Sequence, residues 1–489
     1  MKPLVMKFGG TSMGSAEAIR RTAEIVGAAR ADWPQICVVV SAMSGVTDLL
    51  LQTAQAAAHG DNRALPAALS RLADQHLSTL SELKSSGPGR AEIEARLAEF
   101  EALTQAIGVL GEASPRALDA VGSLGERMSI HLAAAGLASL GLRAPAMDAT
   151  GVIVTDAMFQ SASPDMTATR SRAREILAPL LADGAVPVVT GFVGATPAGQ
   201  VTTLGRGGSD FSAAILGVAL DAAEVWIWTD VDGVMTADPR VVPEARTLPT
   251  VTYSEISELA YYGARVLHPR TIRPVVEGGI ALWVKNTFKP AGAGTRIVPD
   301  ASPPASPAPL RSGDHGLLRE ENPQERGAAG AIKAVTAIKS QKLITIEGRG
   351  MLGVPGIAAR AFSAVARTKT SVVMISQSSS EQSICFVVPA DHAAPVVAEL
   401  LEEFRVELQR GDIDSVRDSE EIVIVTVVGA GMRHTPGIAA RVFGALGEAA
   451  VNVIAIAQGS SECSISLAVA APEADRAVRS IHGRLDGNL

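Results

Sequence analysis

The chain has 489 residues, of which 47% are hydrophobic and 19% charged, and its formal net charge is −8. This length favours two to four domains of roughly 100 to 200 residues each, and the composition is that of a folded protein rather than a disordered one. The negative charge, without clusters of Lys and Arg interleaved with aromatic residues, argues against a nucleic-acid partner.

The amino-terminal residues, MKPLVMKFGGTS, reach glycines before any apolar run of signal-peptide length, and no run of about 18 apolar residues follows anywhere. We therefore expect a cytoplasmic protein that does not bind a membrane. Three widely spaced cysteines, Cys37, Cys385 and Cys463, lack histidines at metal-ligand spacing. We expect neither a disulfide framework nor a metal site built from side chains.

Short apolar runs alternate with helical stretches such as Ala16–Arg30 over the first 300 or so residues. This alternation predicts an α/β fold with a parallel, doubly wound sheet. The segment Asp61–Leu110 is rich in Ala, Leu, Glu and Arg and predicts a helical excursion from that sheet. The apolar runs, which we interpret as buried strands, lie at Leu4–Phe8, Ile36–Val40, Val186–Val189 and Val225–Trp228.

The first predicted strand ends in a lysine followed by two glycines, in the segment Lys7–Ser12 (KFGGTS). Glycines lack Cβ and let backbone N–H groups approach phosphate oxygens, and the helix N-terminus that follows adds partial positive charge. The pattern therefore suits a polyphosphate, to which Lys7 would add a full charge. An ordinary strand-to-helix turn with a surface lysine fits the same residues, so the motif alone leaves both readings open.

A second glycine cluster, Thr203–Asp210 (TLGRGGSD), precedes a helix predicted from about Phe211 to Gly217. Three glycines are costly in chain entropy, and proteins keep them where the backbone must approach a ligand. The planar guanidinium of Arg206 can bind a carboxylate through two hydrogen bonds. Ser209 and Asp210 also fit helix caps, and a capping aspartate near a lysine can orient that lysine as well.

Three further segments are weaker signals when each is taken alone. They are Trp228–Val234 with Asp238–Arg240 (WTDVDGV and DPR), Ser41–Asp48 (SAMSGVTD) and Gly125–Arg127 (GER). The first follows a predicted strand, and in parallel sheets ligands bind beyond the carboxyl ends of strands. Ordinary alternatives are Asp-rich turns for the first segment, a helix cap for Thr47 or Asp48, and a solvated acid for Glu126.

The composition changes after Pro299, where a stretch rich in Pro and Gly predicts an exposed linker to about Gly330. Beyond it the chain repeats itself: PGIAARAFSAV from Pro355 matches PGIAARVFGAL from Pro436, and QSSSEQSI matches QGSSECSI at the same offset. Two copies of one strand–helix–strand–strand unit are predicted. A GxGxxG pattern at Gly348 fits a tight turn better than a dinucleotide site, because no acidic residue follows at the required distance.

Together, KFGGTS, VVSAMSGVTD, GERMS, TLGRGGSD, WTDVDGV with DPR, and GARVLHPRTI resemble the aspartate kinases of the amino-acid kinase family, in this order between residues 7 and 272. The repeat resembles their paired ACT domains. The resemblance implies a three-layer α/β sandwich with a mainly parallel sheet, followed by two ferredoxin-like (ACT) α+β regulatory domains. It implies a catalytic domain at 1–298, a linker at 299–330, and ACT domains at 331–415 and 416–489.

The implied reaction is phosphorylation of L-aspartate by ATP, the first step towards lysine, threonine and methionine. By the resemblance, Lys7 and Asp210 are catalytic, with Mg²⁺ held mainly through the phosphates and no metal held by side chains. The residues implied for aspartate are Thr47, Glu126, Phe192, Arg206 and Ser209. Those implied for ATP are Lys7, Gly9, Gly10, Ser12, Thr229, Asp230, Arg240 and Arg265. Arg265 stands where many relatives have lysine, and Met235 where some have tyrosine.

The regulatory repeats look most like those of aspartate kinases fused to homoserine dehydrogenase, which implies effector binding at Gln377 and Gln458. Threonine is the expected effector, with lysine as the alternative. A homodimer formed through the ACT domains, or a tetramer, is implied as well. Two other functions stay open: a related kinase for glutamate, acetylglutamate or a nucleotide, and an amino-acid-binding regulatory protein with an inactive kinase fold.

Overall fold

The chain is described here from a computed structural model, which divides it into two compact units. The first comprises Met1–Val234, Thr247–Tyr253 and Arg265–Asp300, and the second Met235–Arg246, Ser254–Ala264 and Ala301–Leu489. Most of the predicted linker at 299–330 lies outside the described residues, and so does Arg265. The described residues are 2–61, 63–84, 89–263, 267, 269–300, 331–351, 354–377, 382–459 and 462–484.

The first unit contains an eight-stranded sheet. Its strands are β1 (Leu4–Phe8), β2 (Ile36–Val40), β3 (Ala146–Met147), β4 (Val188–Thr190), β7 (Glu224–Thr229), β8 (Thr250–Thr252), β9 (Ala281–Asn286) and β10 (Thr295–Val298), while β5 (Val193–Ala195) and β6 (Val201–Thr203) form a separate antiparallel pair. The order is β3-β4-β2-β1-β7-β9-β10-β8. Neighbouring strands pair in parallel except β9 with β10, which confirms the predicted mainly parallel sheet.

Helices account for most of the remaining sequence of this region. They are α1 (Ala16–Ala29), α2 (Val46–Ala58), α3 (Ala64–Glu82), α4 (Gly89–Leu110), α5 (Pro115–Gly122), α6 (Leu124–Ala138), α7 (Met166–Ala182), α8 (Gly208–Ala219) and α10 (Pro269–Glu277), while α9 (Tyr253–Tyr261) belongs to the second unit from Ser254 on. The predicted helical excursion is confirmed by α3 and α4. Among all helices of the described residues, none combines the length and the apolar composition required to cross a membrane.

Strands β1 and β2 are buried on both faces, which explains why they read as continuous apolar runs rather than alternating ones. Leu4, Met6 and Phe8 of β1 pack into a core with residues of α1 and α6, such as Ile19 and Leu132. Successive side chains of a strand point to opposite faces, and α8 packs against β1, β2 and β7. This layering confirms the predicted sandwich.

The second unit contains a six-stranded antiparallel sheet built by the two repeats. Its strands are β11 (Ala334–Glu347), β12 (Met374–Gln377), β13 (Ser383–Pro389), β14 (Ser415–Val428), β15 (Val453–Gln458) and β16 (Ser464–Ala470), in the order β12-β13-β11-β14-β16-β15. Its helices after α9 are α11 (Ile357–Arg367), α12 (Ala393–Glu403), α13 (Arg405–Arg410), α14 (Ile438–Glu448) and α15 (Ala474–His482). The predicted strand–helix–strand–strand order is confirmed in both copies.

The repeats exchange short segments across the paired strands β11 and β14. Ile413, just before β14, and Val416, its second residue, pack into the core of the first repeat. Ile332, just before β11, and Val335, its second residue, pack into the core of the second repeat. Each repeat therefore completes its core with residues that precede the other repeat in sequence.

Candidate active site

A cavity of about 540 Å³ lies in the first unit, beyond the carboxyl ends of β1 and β2. The loops after these strands, the start of α2, the junction of α5 and α6, and the loop before α8 form its wall. A parallel sheet brings such loops together because its strands end at one edge. Predicted residues that line the cavity are Lys7, Gly10, Thr47, Glu126, Phe192, Arg206, Ser209 and Asp210.

Lys7 and Asp210 form an ion pair on the cavity wall. Lys7 is only 8% exposed, and its Nζ lies 2.6 Å from Oδ1 of Asp210. Asp210 belongs to the first turn of α8, where the helix dipole also favours a carboxylate. A buried ammonium requires such a counter-charge, and the pair keeps the positive charge of Lys7 at the cavity.

Glu126 presents a buried carboxylate to the same cavity. The residue is 4% exposed, and its Oε2 has no hydrogen-bond donor among the described residues. Burial raises the pKa of Glu126 to about 8, against the opposing effects of hydrogen bonds from the backbone of Ala42 and of Glu126 itself and of the charge on Lys7. An unpaired buried carboxylate is costly, and a cationic ligand would offset that cost.

The loop that carries Arg206 depends on glycine. Gly205 and Gly207 have φ of 76° and 72°, in the left-handed region that side chains disfavour. A Cβ on Gly208 would lie 2.5 Å from the ring of Phe192, whose own φ of 65° is unusual for a residue other than glycine. The Arg206 side chain is exposed and makes no ion pair with any described residue. Its guanidinium is therefore available to a ligand.

The residues expected to bind the nucleotide divide into two groups, the first of which lies near the ends of β1 and β7. Gly9 N–H donates to the carbonyl of Trp228 at 3.1 Å, and the Ser12 hydroxyl is 2.7 Å from that of Thr287. Thr229 Oγ1 donates to the exposed Asp230 carboxylate at 3.2 Å. Gly9, Ser12, Thr229 and Asp230 do not line the cavity itself.

Arg240 belongs to the other group, because it lies in the second unit together with Met235. Its guanidinium is bound to Asp238 at 2.7 Å and is largely exposed. Arg265 lies outside the described residues. Within the described ranges, no three His, Cys, Asp or Glu side chains are grouped so that they could hold a metal ion.

Gln377 and Gln458 end the strands β12 and β15, and both side chains are exposed. These strands occupy the two edges of the six-stranded sheet. Exposed apolar side chains accompany the glutamines, with Ile375 on β12 and Ile454 and Ile456 on β15. The sequence match between the two glutamines is therefore reproduced by equivalent positions in the fold.

Two carboxylates of the first unit were given no role from the sequence, although Asp232 lies within the WTDVDGV segment. Asp119 of α5 lines the cavity, is 1% exposed and accepts hydrogen bonds from Gln160 and Thr203. Asp232 binds Lys289 at 2.8 Å and Asn286 at 2.6 Å, and these donors lower its pKa. The sequence gives no local signal for Asp119, whose hydrogen-bond partners lie 41 and 84 positions away.

Comparison with known proteins adds family matches over most of the chain. Residues 2–286 match the amino acid kinase family, and residues 344–404 and 425–485 each match the ACT domain. The bifunctional aspartokinase/homoserine dehydrogenase 1 of Zea mays, a chloroplastic protein, is 37% identical over 98% of this chain. The match covers 50% of that relative, so the chain spans about half its length.

Two other similar proteins match over nearly their full length. The aspartokinase of Schizosaccharomyces pombe is 32% identical over 99% of this chain and 92% of its own. Aspartokinase III of E. coli has been solved in complex with aspartate and ADP, and also in complex with lysine and aspartate. Each structure has a TM-score of 0.77 and 30% identity, and the match covers 99% of this chain and 100% of the solved one.

Proposed function

This chain belongs to the aspartokinases of the amino acid kinase family, and from this premise we propose that it transfers the γ-phosphoryl group of ATP to the β-carboxylate of L-aspartate. The observation that carries the proposal is the presence of Glu126 and Arg206 on the wall of one cavity. Among the described residues, one oxygen of the buried Glu126 carboxylate lacks a donor, which suits an α-ammonium, and the Arg206 guanidinium has no acidic partner, which suits an α-carboxylate. Thr47, Phe192 and Ser209 would shape the remainder of the aspartate site.

The proposed phosphoryl transfer requires neutralisation of negative charge rather than a general base. The β-carboxylate of aspartate is already ionised at neutral pH, so no proton has to be removed before it attacks the γ-phosphorus. As the bond to the leaving ADP breaks, negative charge accumulates on phosphate oxygens, and the Lys7 ammonium would stabilise it. Asp210, 2.6 Å from Lys7 Nζ, would hold that ammonium in place.

We propose that the ends of β1 and β7 bind ATP through Gly9, Gly10, Ser12, Thr229 and Asp230. A Cβ at Gly10 would lie 3.2 Å from the carbonyl oxygen of Ala42, so the close path of the backbone there depends on glycine. Mg²⁺, held mainly through the phosphates, would supply further charge neutralisation. Arg240 and Arg265 are proposed from the resemblance alone, and Arg240 would have to leave Asp238 to bind a phosphate.

Regulation by an amino acid is proposed for the two ACT repeats, with Gln377 and Gln458 in the effector site. Threonine remains the expected effector by resemblance, and the lysine complex of E. coli aspartokinase III supports lysine as the alternative. An effector would act through its different affinity for an active and a less active arrangement. The exposed apolar residues on the edge strands β12 and β15 support assembly into a homodimer, or a tetramer, through these repeats.

The remaining parts of the proposal concern organisation and location. We propose a catalytic domain at 1–298, a linker at 299–330 and ACT domains at 331–415 and 416–489, with the segment exchange described above crossing the last boundary. We also propose a cytoplasmic location and a role in the first step of lysine, threonine and methionine synthesis.

A coupled assay of ADP release from ATP tests the activity with L-aspartate, L-glutamate and acetylglutamate as acceptors. We expect turnover with aspartate and a loss of about 10³-fold or more in kcat for Lys7→Ala, because removing the ammonium leaves the transferring charge unpaired. Lys2→Ala, at an exposed position, is the matched control and should keep the wild-type rate. Turnover with another acceptor alone would indicate a different kinase.

An amino-acid-binding protein with an inactive kinase fold would give a different pattern. Wild type would release no ADP above background with aspartate, while threonine or lysine would still raise its thermal midpoint by binding. The intact Lys7–Asp210 pair opposes this alternative, since an ion pair of 2.6 Å on a cavity wall has no evident use without a charged ligand.

A further inference from the structure

Asp119 is a second buried carboxylate on the cavity wall, and it differs from Glu126 in being fully bonded. Its Oδ1 accepts the Thr203 hydroxyl at 2.7 Å and the Gln160 N–H at 3.1 Å. Its Oδ2 accepts the Thr203 N–H at 3.0 Å and the Gln160 N–H at 2.9 Å. Both oxygens are thus occupied by protein donors, which argues against a direct contact with the substrate.

The two residues that donate to Asp119 lie in two different loops, and one of these loops carries Arg206. Thr203 is the last residue of β6, three positions before Arg206 in the glycine-rich loop. Gln160 stands in the loop between Asp156 and Ser163 with a φ of 68°, a conformation costly for a residue other than glycine. Asp119 joins these two loops to helix α5 from 41 and 84 residues away in sequence.

The two loops also contact each other directly. The Ala162 N–H donates to the carbonyl of Thr203 at 3.0 Å. A Cβ on Gly205 would lie 3.0 Å from the carbonyl oxygen of Gln160, so the loop of Gln160 packs against the backbone beside Arg206. The guanidinium itself has no acidic partner among the described residues, and its direction therefore depends on the path of the loop.

We propose that Asp119 is a positioning residue that orients Arg206 towards the α-carboxylate of the substrate by tying the loops of Thr203 and Gln160 to α5. This inference rests on the proposed function, because it assigns an orientation to the residue that would bind aspartate. The ionised carboxylate can accept all three donors at once, with the Gln160 N–H shared between its two oxygens, whereas an amide in its place would turn an N–H group towards these donors. Burial raises the pKa of Asp119, and the bonds from Thr203 and Gln160 oppose that rise.

Steady-state kinetics of Asp119→Asn on the full chain test the proposal. We expect KM for aspartate to rise about tenfold or more, because the variant loses roughly the free energy of one charge-assisted hydrogen bond that holds the Arg206 loop in place. KM for ATP and kcat should stay within about threefold, because the Lys7–Asp210 pair is untouched. A role in folding alone would instead lower kcat through a smaller active fraction and leave KM for aspartate unchanged, and that result would overturn the proposal.

A double-mutant cycle with Arg206→Ala identifies the residue through which Asp119 acts. If Asp119 positions Arg206, the second substitution should add less than about twofold to KM for aspartate in the Arg206→Ala background. Multiplicative effects would overturn the proposal.

Thr203→Val keeps the shape of the side chain and removes one donor, so it provides a milder variant should Asp119→Asn fold poorly. A smaller rise in KM for aspartate, with the same lack of effect in the Arg206→Ala background, supports the proposal, and an unchanged KM contradicts it. Wild type is measured in parallel. An inactive wild type would refute the proposed function together with this inference, whereas an active wild type with unaffected variants would refute the inference alone.

Discussion

Two buried glutamates, one in each unit, differ in the hydrogen-bond partners of their carboxylates. Glu126 in the first unit has an oxygen without a donor among the described residues. Glu255 in the second unit is completely buried, and its oxygens bind Lys333 Nζ at 2.8 Å and the Ala430 N–H at 2.7 Å. Because burying an unpaired carboxylate is costly, the contrast indicates a ligand-binding role for Glu126 and a structural role for Glu255.

The structural role of Glu255 becomes clear when the two repeats are compared. The offset that relates Pro355 to Pro436 also relates Arg349 to Ala430 and Lys333 to Asp414. Because the repeats exchange segments, Asp414 lies beside the first repeat and Lys333 beside the second. In the first repeat the N–H of Arg349 donates to Asp414, which belongs to the repeat region itself. In the second repeat a lysine holds the position of that aspartate, and Glu255 of α9 supplies the carboxylate. The second repeat is therefore completed by a residue from the part of the chain that matches the amino acid kinase family.

Glu126→Gln should produce the largest effect. The amide cannot pair with the ammonium of aspartate as a carboxylate does, so we expect kcat/KM for aspartate to fall about 10³-fold, the usual scale for truncating a buried charged hydrogen bond. The thermal midpoint should be unchanged or higher, because a buried ionisable group has been removed. A large loss of stability with KM preserved would reverse the roles inferred from the comparison.

Glu255→Gln should show the opposite pattern. Removing the charge breaks the buried ion pair with Lys333 and weakens the bond to Ala430, and we expect the free energy of unfolding to fall by about 3 kcal/mol. KM for aspartate should stay within about twofold when assayed below the melting temperature. Denaturant unfolding monitored by circular dichroism gives the first quantity and the ADP-release assay the second.

Asp414→Asn is the matched control for Glu255→Gln, because it alters the equivalent carboxylate of the first repeat. That side chain is 46% exposed, and its bond to the Arg349 N–H is long at 3.4 Å. We expect a change of no more than about 1 kcal/mol. Equal losses for the two variants would show that the origin of the carboxylate has no consequence for stability.

The sequence predicted those parts of the molecule whose signal is local. The strands Leu4–Phe8 and Ile36–Val40 have the predicted limits because apolar runs of that length fit a buried parallel strand. Helix α8 begins at Gly208 rather than Phe211, because a left-handed Gly207 caps it within the glycine cluster. Sequence repetition likewise predicted both copies of the ACT unit.

Contacts that depend on distant residues could not be predicted. The sequence suggests a surface residue for Asp119 of α5, and its bonds from Gln160 and Thr203, 41 and 84 positions away, show its place in the site. Glu255 meets Ala430 across 175 positions, and no local pattern in either segment signals that bond. The same holds for Glu126, because the GER motif predicts neither the burial of its side chain nor the absence of a donor to Oε2 among the described residues.

The pH dependence of aspartate use should show the smallest kinetic effect and sharpens the assignment of Glu126. With a pKa of about 8 in the free protein, Glu126 is mostly protonated at neutral pH, and a protonated carboxyl binds an ammonium poorly. We therefore expect kcat/KM for aspartate to rise about tenfold from pH 7 to pH 9 and to level off above pH 8, since this ratio reports ionisations of the free enzyme. Stability should move the other way: the folded state holds a proton that the unfolded state releases near pH 4.5, so the contribution of Glu126 to the free energy of unfolding falls as the pH rises towards 8. Glu126→Gln should remove both trends, whereas Glu255→Gln should leave the kinetic one intact. A kinetic profile that stayed the same in Glu126→Gln would assign the ionisation to another group.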